Sequence, residues 1–188
     1  MDSTLSLTGS VVIGGIFLLG LMRFYGGVID YKHEKNFQLL AQETTASYME
    51  IIEQDFRKIG SGTTSPAIAI TGNNLITFWG DVNGDGVADE VQYSLSDSSA
   101  ASSTPNPNDR ILYRDVNGAR TLDTPGGVTD FSVTLLDELG DPTTELMNVS
   151  QIQLSITVES IYPYDGQYVT AIWQERIIPL NLVRINSN

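Results

Sequence analysis

Alternate positions between residues 81 and 89 carry groups that bind hard metal ions. The oxygen donors are the side chains of Asp81, Asn83, Asp85 and Asp89 and the backbone carbonyl of Val87. Oxygens at relative positions 1, 3, 5, 7 and 9, with a glycine at position 6 for the sharp bend, match the front of an EF-hand-type calcium loop. The spacing therefore predicts a site for Ca²⁺, the candidate cofactor of this chain.

The same loop has a second interpretation, as a hairpin turn. Asn-Gly and Asp-Gly steps are favoured in turns for backbone reasons alone. Position 12 of the loop is Gln92, where an EF-hand has a bidentate Glu, and no helical pattern flanks the loop. Both interpretations stay open at this point. The similar stretch at residues 115–118 lacks the later carboxylates and predicts a turn only.

Catalytic chemistry has little support in this sequence. There is no cysteine, and His33 is the single histidine, so thiolate nucleophiles, disulfides and multi-histidine metal sites are excluded. The acidic residues between 137 and 145 surround a Gly140-Asp141-Pro142 turn, whereas paired-carboxylate catalysis needs a cleft. We therefore expect that the chain is not an enzyme.

The charge of the 188-residue chain is strongly acidic and unevenly distributed. The formal net charge is −13, and residues 61–188 account for −11 of it, with five basic and sixteen acidic side chains. Such a surface repels phosphate backbones and favours solvation by water. The sequence thus predicts an acidic domain that faces water and does not bind nucleic acid.

An uncharged apolar segment occupies residues 3–22, ahead of the acidic domain. Twenty helical residues span about 30 Å, which is the thickness of the hydrocarbon core of a bilayer. Arg23, Phe24 and Tyr25 follow directly, as is typical of a membrane interface. The predicted membrane or filament-core positions are Leu5, Leu7, Val11, Val12, Ile13, Ile16, Phe17, Leu18, Leu19 and Leu21. A cleaved signal peptide is the alternative, although it would have a basic start and a shorter apolar stretch.

The charges around this segment conflict with export of the acidic domain. Arg23, Lys32 and Lys35 follow the segment, and no basic residue precedes it, so the positive-inside rule would place the domain in the cytoplasm. We hypothesise that Met1 is the first residue left after removal of a basic leader. Mass spectrometry of the native N-terminus, compared with the gene, tests this hypothesis.

The helical pattern continues beyond the apolar segment. Apolar residues recur at three- and four-residue steps, at Phe37, Leu40, Ala41, Thr44, Tyr48, Ile51, Ile52, Phe56 and Ile59. Gly60-Ser61-Gly62 is a stop signal. The sequence predicts one helix of about 55 residues within a first region, 1–60, whose part 3–22 is apolar all round and whose part 34–59 is amphipathic.

Beyond residue 62 the periodicity changes from 3.6 to two, which predicts strands. Residues 131–135 and 152–158 alternate clearly, and further strands are predicted at 75–79, 90–95, 110–115 and 168–178. The polar stretch 94–109 predicts an exposed hairpin loop, or alternatively a glycosylated or partner-contacting one. The predicted fold class is α+β, with the long N-terminal helix packed on an antiparallel β-sheet formed by residues 61–188.

Several stretches in order along the chain resemble type IV pilin-like proteins, in particular PilW-like minor pilins and the J-type pseudopilins of type II secretion. They are Val11-Val12-Ile13-Gly14-Gly15-Ile16-Phe17-Leu18-Leu19, Ile52-Glu53-Gln54-Asp55-Phe56-Arg57-Lys58-Ile59-Gly60, Ile76-Thr77-Phe78-Trp79, Val91-Gln92-Tyr93, Ile111-Leu112-Tyr113-Arg114 and Gly127-Val128-Thr129-Asp130-Phe131. The resemblance implies a lollipop-shaped subunit whose N-terminal helix packs in the core of a filament. It also implies a Glu at the fifth residue that pairs with a neighbour's N-terminal amine. This chain has Leu5 there, and Asp2 is the candidate charge partner.

The resemblance implies a structural role. The expected function is that of a subunit of an extracellular or periplasmic helical filament, a homo-oligomer joined through the N-terminal helices and held in the inner membrane before assembly. Two alternatives remain: a minor pilin or pseudopilin that primes pilus assembly or type II secretion, and a non-polymerising, membrane-anchored, calcium-binding or adhesive domain. The expected location is a cell-surface filament, and the sequence does not identify a surface partner.

Overall fold

A computed structural model describes residues 2–63, 67–72, 74–124, 126–163, 165–179 and 181–182, with the side chains of 2–8, 30, 33–45, 47, 70 and 71 outside the description. The chain begins with helix α1 (Asp2–Arg57). Eight strands follow: β1 (Ile68–Gly72), β2 (Leu75–Gly80), β3 (Asp89–Leu95), β4 (Leu112–Val116), β5 (Ala119–Asp123), β6 (Val128–Leu136), β7 (Gln151–Glu159) and β8 (Thr170–Ile177). The fold is α+β with antiparallel pairing, as the sequence predicts.

The chain divides into two compact units, Met1–Leu39 and Leu40–Asn188. The first unit consists of the N-terminal part of α1. The second unit contains the C-terminal part of α1 and all eight strands. The amphipathic end of the helix therefore belongs to the same folded unit as the strands.

The strands form two sheets, whereas the sequence predicts one. Strands β1 to β5 pair in chain order in a five-stranded sheet, and β6, β7 and β8 pair in chain order in a three-stranded sheet. The connection from β5 to β6, which leads from one sheet to the other, contains Gly126 and Gly127. Their φ angles of 111° and 86° are backbone values that residues with a Cβ rarely adopt. The chain can thus change direction here and begin a separate sheet.

The two stretches with the clearest alternation, residues 131–135 and 152–158, lie within strands β6 and β7. In β7, Ile152, Leu154 and Ile156 are fully buried while the residues between them are partly exposed. The other four predicted strands correspond to β2, β3, β4 and β8, although β4 starts at Leu112 and β8 at Thr170. The sequence does not predict strands β1 and β5. Strand β5 is exposed along most of its length, so its residues do not alternate between buried and exposed positions.

The long predicted helix is confirmed, and its end agrees with the stop signal. Helix α1 ends at Arg57, and Gly60 and Gly62 follow with positive φ angles. In the second unit Ile52, Phe56 and Ile59 are fully buried. Two details differ from the predicted face: Ile51 is exposed, and Met49 is buried in its place. The side chains of Phe37, Leu40, Ala41 and Thr44 lie outside the described residues.

The core of the second unit is shared by the helix end and both sheets. The ring of Phe56 lies 5.0 Å from that of Phe78 and 5.8 Å from that of Tyr93, and the Tyr93 ring lies 6.2 Å from that of Phe131 in β6. Burying aromatic rings of this size contributes a large share of the free energy of folding. This aromatic cluster therefore joins α1, the five-stranded sheet and the three-stranded sheet.

A buried ion pair lies beside this cluster. The Asp55 carboxylate, 5 % exposed, accepts hydrogen bonds from Arg114 Nε at 2.6 Å and Nη2 at 3.0 Å, and from the Tyr93 hydroxyl at 2.6 Å. The hydrogen bonds to Asp55 raise the pKa of Arg114, and burial together with the charge of Asp55 raises the pKa of Tyr93. Arg114 and Tyr93 therefore remain protonated at neutral pH.

Replacing Asp55 by alanine should destabilise the second unit by about 3–5 kcal/mol, since Arg114 and Tyr93 would stay buried without their acceptor. Urea unfolding of the detergent-solubilised chain, followed through the fluorescence of Trp79 and Trp173, measures the change. The matched control on the same helix is Arg57→Ala, which removes exposed ion pairs with Glu53 and Glu175 and should destabilise the unit much less, because water screens both pairs. Equal effects of the two substitutions would contradict this role for Asp55.

Candidate functional site

The first candidate site is the apolar part of α1 in the first unit. Gly9–Ile29 has a mean hydropathy of 1.8 and is long and apolar enough to cross a membrane. A signal sequence near an N-terminus would satisfy the same test. None of the described side chains in this span is buried, and Ile13 is 71 % exposed. Of the predicted core positions, the structure places Val11, Val12, Ile13, Ile16, Phe17, Leu18, Leu19 and Leu21 on this exposed surface, while the side chains of Leu5, Leu7 and Asp2 lie outside the described residues.

Glycines interrupt the apolar surface of this span. A Cβ added at Gly14, Gly15 or Gly20 would meet no atom within 4 Å. The helix backbone is thus open to a close neighbour at these positions. The end of the span carries Phe24 and Tyr25, both 69 % exposed, beside Arg23.

The second candidate site is the acidic loop, residues 81–89, between β2 and β3. Its first carboxylate is turned inward onto the loop's own backbone. Asp81 Oδ1 accepts hydrogen bonds from the N–H groups of Gly84 at 2.6 Å and Asp85 at 3.0 Å, and Oδ2 accepts one from Gly86 at 2.9 Å. Burial acts to raise the pKa of Asp81, but these three N–H groups and Lys58 together lower it. Asp81 therefore stays ionised and fixes the bend of the acidic loop.

The middle of the acidic loop is ordered by its own polar side chains. Asn83 Oδ1 accepts a hydrogen bond from the Asp85 N–H at 2.9 Å, and Asn83 Nδ2 donates to Asp85 Oδ2 at 3.0 Å. Asp85 Oδ1 accepts from the Val87 N–H at 2.8 Å. The structure therefore brings Asp81, Asn83 and Asp85 together in one hydrogen-bonded turn.

The acidic loop is fastened to the segment after α1. Lys58 Nζ donates to the Val82 carbonyl at 2.7 Å, and the Asp81 N–H donates to Ser61 Oγ at 2.8 Å. Gly62 has φ of 74°, and a Cβ placed there would lie 2.8 Å from the Ala88 nitrogen. Only glycine leaves room for this close approach. The sequence gives no local signal for these contacts, because the partners are about 20 residues apart.

Asp89 is positioned from outside the acidic loop, by Asn117 in the β4–β5 turn. Asn117 Nδ2 donates to Asp89 Oδ1 at 2.7 Å, and Asn117 Oδ1 accepts from the Glu90 N–H at 3.0 Å. Asn117 and Gly118 have φ of 52° and 75°, as the two central residues of a type I′ turn do. The predicted turn at 115–118 is thus present, and its Asn has a second role that the turn pattern did not indicate.

The second carboxylate oxygen of Asp89 has no hydrogen-bond partner among the residues that the structure describes. Asp89 is 6 % exposed, and Oδ2 accepts no hydrogen bond from the residues that the structure describes. Burying an ionised oxygen in this way is unfavourable unless a donor or a cation compensates it. At the same time, within the described part of the chain no three Asp, Glu or His side chains converge into a group that could hold a metal.

No protein-family model, curated protein or solved structure matches this chain. The resemblance to pilin-like proteins therefore has the quoted residues as its only basis. Function must be argued from the apolar span and the acidic loop.

Replacing Asp81 by alanine should loosen the acidic loop, because the N–H groups of Gly84, Asp85 and Gly86 lose a charged acceptor. Amide hydrogen exchange in a peptide covering residues 81–89 should accelerate about tenfold or more. Asp97→Ala is the control, since Asp97 is exposed and its side chain caps no helix N–H. Unchanged exchange in the Asp81 variant would show that these hydrogen bonds do not hold the loop.

Proposed function

We propose that this chain is a structural subunit of a pilin-like filament, assembled through its apolar N-terminal helix. The observation that carries the proposal is the Gly9–Ile29 span, which is apolar apart from Arg23 and has no buried side chain among the described residues. Leaving apolar surface in water costs about 25 cal/mol per Å². A span of this length therefore needs a cover, either lipid or other apolar helices.

We propose that lipid covers the span before assembly and that the helices of other copies cover it in the filament. The length of the span and the aromatic residues beside Arg23 suit the inner membrane before assembly. The open backbone at Gly14, Gly15 and Gly20 suits close packing against the helices of other copies. The proposed assembly is thus a homo-oligomeric helical filament at the cell surface, with Asp2 as the candidate partner of a neighbouring N-terminal amine.

The second unit would form the outer surface of such a filament. Its net charge over residues 61–188 is −11, which keeps the surface solvated and repels nucleic acid. The proposal assigns this unit no catalytic role.

Two alternative functions of a chain with this apolar span predict different experimental results. A minor pilin or pseudopilin that primes pilus assembly or type II secretion would be a rare component of purified filaments, whereas a major subunit would make up nearly all of their mass. A non-polymerising anchored domain would remain in the membrane fraction, and electron microscopy would show no filaments.

Leu19→Arg should abolish filament formation. Leu19 lies at the middle of the span, where a charged residue costs about 2.5–3.5 kcal/mol in a membrane and would be buried without a partner between packed helices. The measurement is negative-stain electron microscopy of cells that assemble the native protein, together with membrane fractionation before assembly.

The control places the same charge on an exposed isoleucine of the second unit. Ile172 in β8 is 67 % exposed, and Ile172→Arg should leave both membrane insertion and filaments intact. Normal filaments from the Leu19 variant would refute assembly through this span. Loss of filaments from both variants would mean that the second unit also contributes contacts.

We further propose that the acidic loop binds Ca²⁺, a property compatible with each of these structural roles. The supporting observation is the unpartnered Oδ2 of Asp89, at the ninth position of the loop. Asp81, Asp85 and Asp89 against the single ammonium of Lys58 leave a local charge of −2, which a divalent cation balances. The proposed ligands are oxygens of Asp81, Asn83, Asp85, Val87 and Asp89.

Calcium should raise the melting temperature of the chelator-treated chain, since a ligand that binds only the folded state stabilises it. Asp89→Asn should weaken calcium binding about tenfold or more in isothermal titration, because it replaces a carboxylate ligand by a neutral amide. Asp123→Asn, on the exposed strand β5, should bind as the unchanged chain does. If the Asp89 variant binds as tightly as the control, the acidic loop is a turn only.

A further inference from the structure

The β3–β4 loop, residues 96–111, contains a further buried carboxylate, at Asp109. The polar composition of this stretch predicts an exposed loop, but Asp109 is 0 % and Asn106 is 2 % exposed. Neither carboxyl oxygen of Asp109 has a hydrogen-bond partner among the described residues. The exposed-loop prediction is therefore wrong at these two positions.

The donors nearest to Asp109 do not satisfy it. The Thr104 hydroxyl has one proton and donates it to the Ala101 carbonyl at 2.9 Å. Burial raises the pKa of Asp109; Thr104 and the Gly127 N–H lower it in part, and the charge of Glu159 raises it further. Asp109 Oδ2 faces Gly126, where an added Cβ would lie 3.4 Å from that oxygen. The same Cβ would lie 2.9 Å from Thr104 Cγ2, so only glycine fits this close approach of the chain to the β3–β4 loop.

Glu159, at the end of β7, supplies a second carboxylate. Its Oε2 accepts hydrogen bonds from Asn106 Nδ2 at 2.9 Å and Asn108 Nδ2 at 3.3 Å. Asn106 Nδ2 also donates to the Ser160 carbonyl at 3.2 Å. Both amides use Oε2, so neither of them occupies Oε1 of Glu159. The amides thereby hold Glu159 against the loop that carries Asp109.

A buried carboxylate without partners must lose its charge or gain a positive neighbour. Protonation would remove the charge of Asp109 but would leave that of Glu159 uncompensated. A bound cation would compensate the charge and use both oxygens. The negative charge of Glu159 favours protonation of Asp109 as well as cation binding, but a divalent ion balances both carboxylates whereas one proton balances only one of them.

We propose that Asp109 and Glu159 bind a divalent cation of the calcium type, separate from the acidic loop. Carboxylate, hydroxyl and carbonyl oxygens are the donors that Ca²⁺ prefers, and Ca²⁺ tolerates irregular arrangements of them. The net charge of −11 over residues 61–188 raises the local concentration of cations.

A cation at this position would cross-link the two sheets. Asp109 lies on the connection between β3 and β4 of the five-stranded sheet, whereas Glu159 ends β7 of the three-stranded sheet. The next residue, Arg110, already donates its N–H to the Val128 carbonyl at 2.8 Å, at the start of β6. The cation would add a second bond between the sheets beside this one.

The test uses the full chain in detergent, treated with chelator, with Asp89→Asn as the background so that the acidic loop does not contribute. Isothermal titration with Ca²⁺ and thermal unfolding with and without Ca²⁺ are compared for three further substitutions: Asp109→Asn, Glu159→Gln and the exposed control Asp123→Asn. We expect binding and a calcium-dependent rise in melting temperature in the background and the control. We expect at least tenfold weaker binding, and no such rise, in the other two.

Two results would overturn the proposal. One is the absence of a calcium response in the background chain at millimolar Ca²⁺, in particular if Asp109→Asn then raises the melting temperature without calcium, as a protonated Asp109 predicts. The other is unchanged binding in both Asp109→Asn and Glu159→Gln. Because both readouts come from the background chain, neither depends on filament formation or on the acidic loop.

Discussion

The buried ion pair between Asp55 and Arg114 is the constraint on which the second unit depends. Apolar packing of Ile52 and Phe56 favours burial of one helix face, but it is not directional and would tolerate small rotations and shifts of the helix. A bidentate carboxylate–guanidinium pair with a tyrosine hydroxyl on the same oxygen tolerates neither. The pair thus fixes the end of α1 against β3 and β4. The segment after α1, whose Lys58 and Ser61 hold the acidic loop, takes its position from that contact.

The sequence predicts what is determined locally and fails where partners are distant. The alternation in β7 and the stop at Gly60 and Gly62 follow from periodicity and backbone preference, so these elements are found as predicted. Asp55 looks like one more polar residue of an amphipathic helix, because its partner Arg114 lies 59 residues away. The candidate calcium ligands were visible from their spacing. The holding of Asp89 by Asn117 was not, since it depends on the pairing of β3 with β4 and on the turn that follows.

The second unit places acidic groups inside as well as on its surface. Asp55, Asp89 and Asp109 are all buried, yet their surroundings differ. Asp55 has a full set of donors, Asp89 has a partner for one oxygen, and Asp109 has none among the described residues. The carboxylate of Asp55 is thus hydrogen-bonded entirely by side chains of the protein. The other two leave oxygen atoms whose desolvation the described residues do not compensate, which is the physical reason for proposing cations at these two carboxylates and not at Asp55.

The chain order of the strands has a consequence for how the second unit folds. Both sheets are meanders in which every strand pairs with its neighbour in sequence. Contacts between near neighbours form quickly, since little loop entropy is lost in closing them. The contact of Asp55 with Arg114 closes a much longer loop and therefore loses more conformational entropy. It is most favourable once β3 and β4 are already paired. We therefore expect the hairpins to form early and the helix end to dock late, with the burial of the aspartate as the step that makes the folded unit cooperative.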